Sequence, residues 1–590
     1  MSPDFLSVFA AGIGGLLGSM YLDAKVLLGK DLHQLRSGAA ATIAHRIWAF
    51  QDKLHFYYRF KEKAKANPHK IFLLFEGREY TFRQIEKASN RLAYWLLAQN
   101  IKKNDIVCMM HQNHPTFFIT LFAISKIGAV PSLINTNLAD DSLLHCIKIA
   151  NAKLFLFDPI YESQVNTIAE ATKELNVRLI AYGESTQKAD LAPLAIALTL
   201  NPSILARFSE KDTSEEYLKG VQPNDPAYLI YTSSGLIVAS SVCLYAGGTI
   251  VLGRKFSASR FWNDCADYKV DVFTYIGEFC RYLLSQPYHS QERNHNVKLV
   301  YGNGMRPDIW ERFRDRFNIP KICEFYAATE APTSLFNVNT GEMGAGAVGF
   351  RGKFFRLLRS EVQLIKIDPI TEQPLRDRNG NCIKCEFGEQ GELIVRIDAD
   401  GPISFDGYYK NAGATKKKIL SDVFVKGDNY FRSGDLLKLS SEGYFYFGDR
   451  VGDTFRWKSE NVATTEVAQA LGVYPGIGEA NVYGTQVPNH DGRAGMAAIV
   501  LKEGSTLDFK ELYQYLRKKL PKYAIPVFIR FVPAMEITGT FKQQKVVFRN
   551  QGIDLSKIPE TDPVYWLNGD TYVPFTLEDY ARVDVGKVKL

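Results

Sequence analysis

The chain has 590 residues, 46% of them apolar and 23% charged. This is ordinary globular usage and excludes a disordered, collagen-like or disulfide-stapled protein. At about 150 residues per domain, the length allows three to five domain-sized units, each able to bury a core. There are 71 Lys+Arg against 64 Asp+Glu, a net charge of +7 with no concentrated basic tract. Such a balance suits a membrane surface or an anionic ligand and argues against a nucleic-acid partner. Eight cysteines form no framework. Cys382 and Cys385 make a lone CxxC, without the second pair that a four-ligand zinc site needs, so reduced thiols are expected.

In chain order, the first feature is Phe5–Leu22, a run without a single charge. At about 1.5 Å per residue it would reach roughly 27 Å as a helix, just enough for a bilayer core. Only Asp4 precedes it, whereas Lys25, Lys30 and Arg36 follow. The positive-inside rule then puts the main body in the cytosol. Residues 1–35 are therefore expected to be a membrane anchor. A signal peptide lacking basic residues in its n-region and a buried helix are the alternatives. Over 36–70, Ile43, Ile47, Phe50, Leu54 and Tyr57 recur at helical spacing beside Arg46, Lys53, Arg59, Lys61, Lys63 and Lys65. This is either a basic amphipathic helix on an anionic membrane or a helix packed on the body with a solvated basic side.

From Ile71 the texture changes. Ile71–Phe75 and Tyr80–Phe82 bracket a Glu76-Gly77 turn, which predicts a hairpin. Arg83–Leu97 reads as a helix with Ile85, Ala88, Leu92 and Leu96 on one face. The strand Ile106–Met110, the helix Phe117–Ile127, the strand Ala129–Leu133, the helix Leu143–Ala150 and the strand Leu154–Phe157 follow. This alternation predicts a parallel, doubly wound sheet. It continues through Ala227–Tyr231, Thr249–Leu252, Asp271–Tyr275 and Val297–Gly302. After Gly349 come short strands and turns, including Gly391–Ile397 and Tyr444–Gly448. From about Asp453 a smaller α+β unit is expected, containing Glu466–Leu471, Ala497–Leu501, the helix Phe509–Leu520 and Phe528–Phe531. The final Val588-Lys589-Leu590 resembles the peroxisomal tripeptide Ser-Lys-Leu, with Val in the first place.

Several stretches carry a stronger signal. They are KFSASRFW (Lys255–Trp262), YIGEFCRYLL (Tyr275–Leu284), YGNGMRPDIW (Tyr301–Trp310), EFYAATEAP (Glu324–Pro332), FRSGDLL (Phe431–Leu437), DRVGDTFRWKSENVATTEV (Asp449–Val467) and TGTFKQQK (Thr538–Lys545). In this order and spacing they resemble the fatty acid transport protein / very-long-chain acyl-CoA synthetase family of the acyl-adenylate-forming (AMP-binding) enzymes. The resemblance runs from about Ile71 to the end and is far more specific than a lone glycine motif. It implies an α/β fold: a large adenylate-forming domain with parallel sheets over 71–450 and a small, mobile α+β domain over 453–590. The membrane helix and the 36–70 segment precede them.

The implied activity is ATP-dependent formation of an acyl-adenylate, then of acyl-CoA, from long or very long chain fatty acids, coupled to their uptake. ATP, Mg²⁺ and coenzyme A are the implied cofactors and co-substrate. Carboxylate attack on the α-phosphate joins two anions, so the site must neutralise charge and align the groups. By resemblance, Tyr326 stacks on adenine, Thr329 offers a hydroxyl to the α-phosphate, and Glu330 is a hard oxygen ligand for Mg²⁺. Gly302, Asn303 and Gly304 resemble the segment that lines the adenine. Asp435 resembles the carboxylate that takes the ribose hydroxyls, and Arg450 the second ribose contact. Gly452 sits at the implied hinge. Lys542 resembles the mobile-domain lysine that meets the carboxylate and α-phosphate.

One departure is large. After AYLIYTS the family carries a phosphate loop, Thr-Ser-Gly-Thr-Thr-Gly-Leu-Pro-Lys. Here Thr232-Ser233-Ser234-Gly235 runs straight into LIVASSVCLYAGG. Roughly 50 residues are expected to be missing near 233–236, far more than ordinary loop trimming removes. Thr232 and Ser233 remain as a stub of the ATP site. Such a loop supplies backbone and hydroxyl donors to the β- and γ-phosphates. Two readings follow: an acyl-CoA synthetase impaired by loss of this loop, or an inactive membrane-bound protein that binds or transports fatty acid. Expected partners are fatty acid, coenzyme A and membrane lipid, with no nucleic acid. The endoplasmic reticulum, peroxisome, lipid droplet and plasma membrane are all compatible locations.

Overall fold

The helix expected at Arg83–Leu97 forms over Phe82–Ala98 for a local reason. Thr81 is its N-cap, and with Gln84 it makes a capping box: the Gln84 N–H donates to Thr81 Oγ1 at 3.2 Å and the Thr81 N–H to Gln84 Oε1 at 2.8 Å. The computed structural model describes residues 27–187, 196–222, 225–231, 235–328, 330–368, 371–398, 405–458, 460–490, 492–535, 544–585 and 588. The Phe5–Leu22 run, Thr232, Ser233, Thr329 and Lys542 lie outside them. Among the described residues, no helix is long and apolar enough to cross a membrane.

The chain divides into two compact units, Ser37–Val270 and Met1–Arg36 with Asp271–Leu590. In the first, a six-stranded parallel sheet runs in the order Leu198–Thr199, Arg178–Ala181, Leu154–Phe157, Ile106–Met110, Val130–Leu133, Leu229–Ile230. Its central strands are buried along their whole length, as continuous apolar runs in a parallel sheet must be. The Ile71–Phe75/Arg78–Thr81 hairpin forms as expected and adds Ile250–Leu252 in parallel.

The 36–70 expectation divides in two. The helix Leu28–Phe50 stops because Asp52 turns left-handed (φ 52°), while the Lys53 N–H donates to Trp48 O at 2.7 Å and the Asp52 N–H to Ala49 O at 3.1 Å. This is a Schellman closure with Asp in the usual glycine place. A second helix, Tyr57–Ala66, buries Tyr57, Tyr58 and Phe60. Phe60 stacks on Phe122 at 4.1 Å and meets Phe72 and Phe82. A single helix carrying Leu54 and Tyr57 on the face of Ile43 is therefore corrected. Tyr57 belongs to the packed core, whereas Ile43, Ile47 and Phe50 stay exposed, Phe50 at 93%.

The second unit holds three sheets. In the first, Val272–Ile276, Leu299–Asn303 and Ile322–Tyr326 are parallel and Leu335–Asn339 closes antiparallel. The next orders Gly349–Phe350, Tyr444–Arg450, Asn429–Leu439, Gln390–Arg396 and Val362–Ile365, with Ile419–Ser421 beside Asn429–Leu439. The C-terminal α+β part forms as expected. Five strands run Ile477–Gln486, Arg493–Leu501, Phe528–Phe531, Val564–Asn568, Thr571–Pro574, over a core that includes Leu471, Met496, Leu512 and Leu516.

This unit also takes the first residues described. Leu27 packs on Ala347, Phe350 and Tyr444. Asp31, fully buried, accepts the N–H groups of Gly352 at 2.7 Å and of Phe354 and Phe355 at 3.0 Å. It caps the short helix Lys353–Leu358 from across the sequence.

Candidate active site

The strand Ile322–Tyr326 is buried at its start and opens at its end, which leaves Tyr326 half-buried. Its hydroxyl donates to Asp435 Oδ2 at 2.6 Å. Asp435 lies in Asn429–Leu439, directly opposite Arg450 in the antiparallel register, and Arg450 Nε is 3.5 Å from Asp435 Oδ1. Sheet register, not sequence proximity, thus sets this trio. Burial pushes the Tyr326 phenol far up and the Asp435 carboxylate adds to it, so the hydroxyl remains a donor. A carboxylate has about four lone-pair sites, so Asp435 retains capacity for a vicinal diol.

Beside it, Gly302 pairs with Tyr275 on one side and Glu324 on the other. A Cβ at Gly302 would stand 2.1 Å from the Tyr275 carbonyl oxygen, so only glycine fits. Asn303 ends the same strand, its carbonyl accepting the Gly277 N–H at 2.9 Å. Gly304 turns at φ 92° and donates its N–H to Glu324, which also accepts the Tyr275 hydroxyl. Glu324 is fully buried, and burial pushes its carboxyl up to about 8 despite these donors. Sequence reading assigned it no role. Its signal was an acid inside an otherwise apolar strand.

Glu330 accepts the Tyr408 hydroxyl at 3.1 Å through Oε1. Burial, then the charge of Glu330, pushes that phenol up to about 12. Tyr408 is a second residue that sequence reading missed. Among the described residues no group of three or more His, Cys, Asp or Glu could hold a metal ion. Mg²⁺ usually takes one or two carboxylates plus phosphate oxygens, and a single hard carboxylate such as Glu330 fits that donor set.

Gly452 (φ 88°) follows the strand Tyr444–Arg450. Arg549 donates to its carbonyl at 3.1 Å and pairs with Asp453 at 2.5 Å, while Lys545 stands 3.3 Å from Asp453. Asp449, buried, accepts the backbone N–H of Thr464 at 2.6 Å and its hydroxyl at 2.8 Å. A cavity of about 200 Å³ lies here, lined in part by Glu278, Arg306, Thr464, Thr465, Asn481 and Lys545. The structure therefore brings Tyr326, Asp435 and Arg450 together and sets Gly302–Gly304 against Glu324, while Glu330 pairs with Tyr408. In the Ser37–Val270 unit, the strand Leu229–Ile230 leads to Tyr231, whose hydroxyl meets Ser132 Oγ at 2.8 Å and Cys146 O at 3.0 Å.

The AMP-binding enzyme family model matches residues 60–235 and 234–409, and the AMP-binding enzyme C-terminal domain matches 466–542. The chain is 39% identical over 570 residues to long-chain fatty acid transport protein 6 of Mus musculus, covering 90% of this chain and 91% of the relative. It is 33% identical over 621 residues to the very long-chain fatty acid transport protein of Cochliobolus heterostrophus, covering 99% and 96%. The fold is similar to that of an anthranilate CoA ligase in complex with anthranoyl-AMP, with a TM-score of 0.69 at 16% identity, over 85% of this chain and 98% of that one. The two family-model stretches meet at Ser234-Gly235. An alignment of 621 positions against a chain of 590 leaves at least 31 positions of the fungal relative facing no residue here.

Proposed function

The chain belongs to the AMP-binding enzymes, on their fatty acid transport protein branch, and from that membership we propose that it activates long or very long chain fatty acids at a membrane. By family it is an acyl-CoA synthetase, a ligase that forms a carbon–sulfur bond. The finer reading is conversion of the fatty acid to acyl-adenylate and then acyl-CoA, coupled to uptake.

The observation that carries it is the Tyr326–Asp435–Arg450 trio beside the close approach at Gly302. Asp435 accepts the ribose hydroxyls, and Tyr326 and Arg450 fix its orientation. Gly302, Asn303 and Gly304 line the base, held in place by Glu324. Thr329 and Glu330 face the phosphates, Glu330 holding Mg²⁺ with Tyr408 orienting its carboxylate. ATP supplies the leaving pyrophosphate, and Mg²⁺ neutralises phosphate charge. Lys542 meets the acyl carboxylate and the α-phosphate, and Gly452 is the pivot that replaces it with a face for the coenzyme A thiol. Phe5–Leu22 anchors the protein with its body toward the cytosol, in the endoplasmic reticulum, peroxisome, lipid droplet or plasma membrane.

On this reading the family's phosphate loop is missing from this chain, and the meeting of the two family-model stretches at Ser234-Gly235 supports its removal as one block. The alternative, a membrane-tethered fatty acid carrier without ligase activity, is not favoured by the family match. ATP-dependent acyl-CoA formation by the purified full chain separates the two. Activity that Lys542→Ala abolishes establishes the ligase. No product, with fatty acid binding retained, establishes the carrier.

A further inference from the structure

Away from the nucleotide site, one short helix carries an apolar surface that the described fold does not cover. The helix Lys353–Leu358 presents Phe354, Leu357 and Leu358 to solvent, exposed at 39%, 79% and 57%. Phe387 is exposed as well, and the Arg356 guanidinium lies 5.3 Å from its ring centre. Single exposed apolar residues are normal, but three within one six-residue helix beside a fourth, Phe387, form a patch. Lys353 and Arg359 flank it and are exposed. Of the neighbouring acids, Glu361 is buried against Arg351 at 2.8 Å with Arg359 at 3.5 Å from its other oxygen, and Glu386, next to Phe387, is exposed. The surface is therefore apolar, with the cations Lys353 and Arg359 at the two ends of the helix and one exposed acid, Glu386, beside Phe387.

Chain connectivity says what such a surface would face. Asp31 is bonded to the first turn of this helix through Gly352, Phe354 and Phe355, and Leu27 is packed on Phe350 and Tyr444. Leu22, the end of the uncharged Phe5–Leu22 run, lies five residues before Leu27. Five extended residues reach at most about 18 Å. If that run sits in a bilayer, the capped helix is held within a short tether of the headgroups, on the side where Lys25 and Lys30 follow the run.

We propose that the exposed face of Lys353–Leu358, with Phe387, is a second membrane contact that seats Phe354, Leu357 and Leu358 in the interface of an anionic lipid surface. Asp31 is the clip that fixes this contact to the segment leaving the membrane. The proposal rests on the anchor reading of Phe5–Leu22. Apolar side chains enter the acyl boundary while Lys353 and Arg359 meet anionic headgroups. The body is then fixed at two points rather than swinging on a single tether.

Backbone amide exchange on the full chain tests it, with phosphatidylcholine–phosphatidylserine vesicles and with phosphatidylcholine alone. The expected result is that amides of 353–359 exchange about tenfold more slowly on the serine-lipid vesicles, and that the Leu357→Ser/Leu358→Ser variant loses this protection while still floating with vesicles. Both leucines are exposed, so the variant should fold. If the chain floats and exchange at 353–359 is unchanged, the contact is refuted and the anchor stands. If the chain does not float, the anchor reading fails and the contact with it. Equal protection on phosphatidylcholine alone removes the anionic assignment. Protection that grows with protein concentration without vesicles assigns the patch to a second copy instead.

Discussion

Two C-terminal ends of parallel strands are built in opposite ways. Ile322–Tyr326 ends in a side chain bonded to Asp435, 109 residues away in another sheet, and Asp435 is itself set by register opposite Arg450. Leu229–Ile230 is a two-residue edge strand, and the helix Gly235–Ala246 begins five residues after it. A site half assembled from distant strands survives the loss of any one local block. A phosphate cradle made from one continuous loop does not, because its donors leave together.

The sharpest test of this contrast is nucleotide choice. If the phosphate loop is missing as proposed, this chain should bind AMP and ATP within about threefold of each other, because the ribose-side trio remains while the loop's donors to the β- and γ-phosphates do not. Inserting a Thr-Ser-Gly-Thr-Thr-Gly-Leu-Pro-Lys loop after Ser234 should raise ATP affinity by about 10²–10⁴, from two or so charge-assisted bonds at ~1.5–3 kcal/mol each, with AMP little changed. Titration calorimetry reads both, and an equal gain for AMP would break the comparison.

Next in size is Asp435→Ala, which leaves the Tyr326 hydroxyl and Arg450 without their acceptor. AMP affinity should fall by about 30- to 1,000-fold, roughly 2–4 kcal/mol, with a smaller loss for Asp435→Asn. Unchanged affinity would remove this trio from the site.

Glu324 gives a pH test. Its folded carboxyl titrates near 8 against an ordinary 4.5. Its contribution to stability is therefore full below about 4.5 and lost as pH rises through about 8. The slope should approach ~1.4 kcal/mol per pH unit between those limits. Scanning calorimetry from pH 5 to 8 should show the wild type falling relative to Glu324→Gln, whereas parallel curves would contradict the buried, protonated acid. The smallest effect belongs to the reduced strand end. Tyr231→Phe loses the contacts with Ser132 and Cys146, about 1 kcal/mol of stability, and should leave AMP affinity alone. A tenfold loss of AMP affinity would place that strand end in the nucleotide site.

Sequence patterning reached some of this and missed the rest for identifiable reasons. Ile106–Met110 and Leu154–Phe157 form over the residues expected, because a strand buried on both faces must be apolar throughout. The break after Phe50 was hidden. A left-handed Asp52 leaves no mark in hydrophobic periodicity, and Tyr57 fits the stripe of Ile43 and the core equally well. Motif order pointed to Tyr326, Asp435 and Arg450 through resemblance. It could not point to Tyr408, whose bond to Glu330 spans 78 residues and depends on how two loops fold. Nor could it show that Glu324 holds the Gly304 turn, because a buried acid and a surface acid are the same letter.

Gly302 has a consequence for how this chain would change over generations. Every single-base replacement of a glycine codon that yields another amino acid adds a Cβ, and here that atom would collide with the Tyr275 backbone. Selection for the fold alone is enough to hold this position, whether or not the protein still performs a reaction. Asp435 and Arg450 are under no such steric compulsion, for their side chains reach out to one another. In a lineage released from catalysis those two would drift first while the glycine stayed, so the pair reports on the proposed nucleotide site in a way the glycine does not.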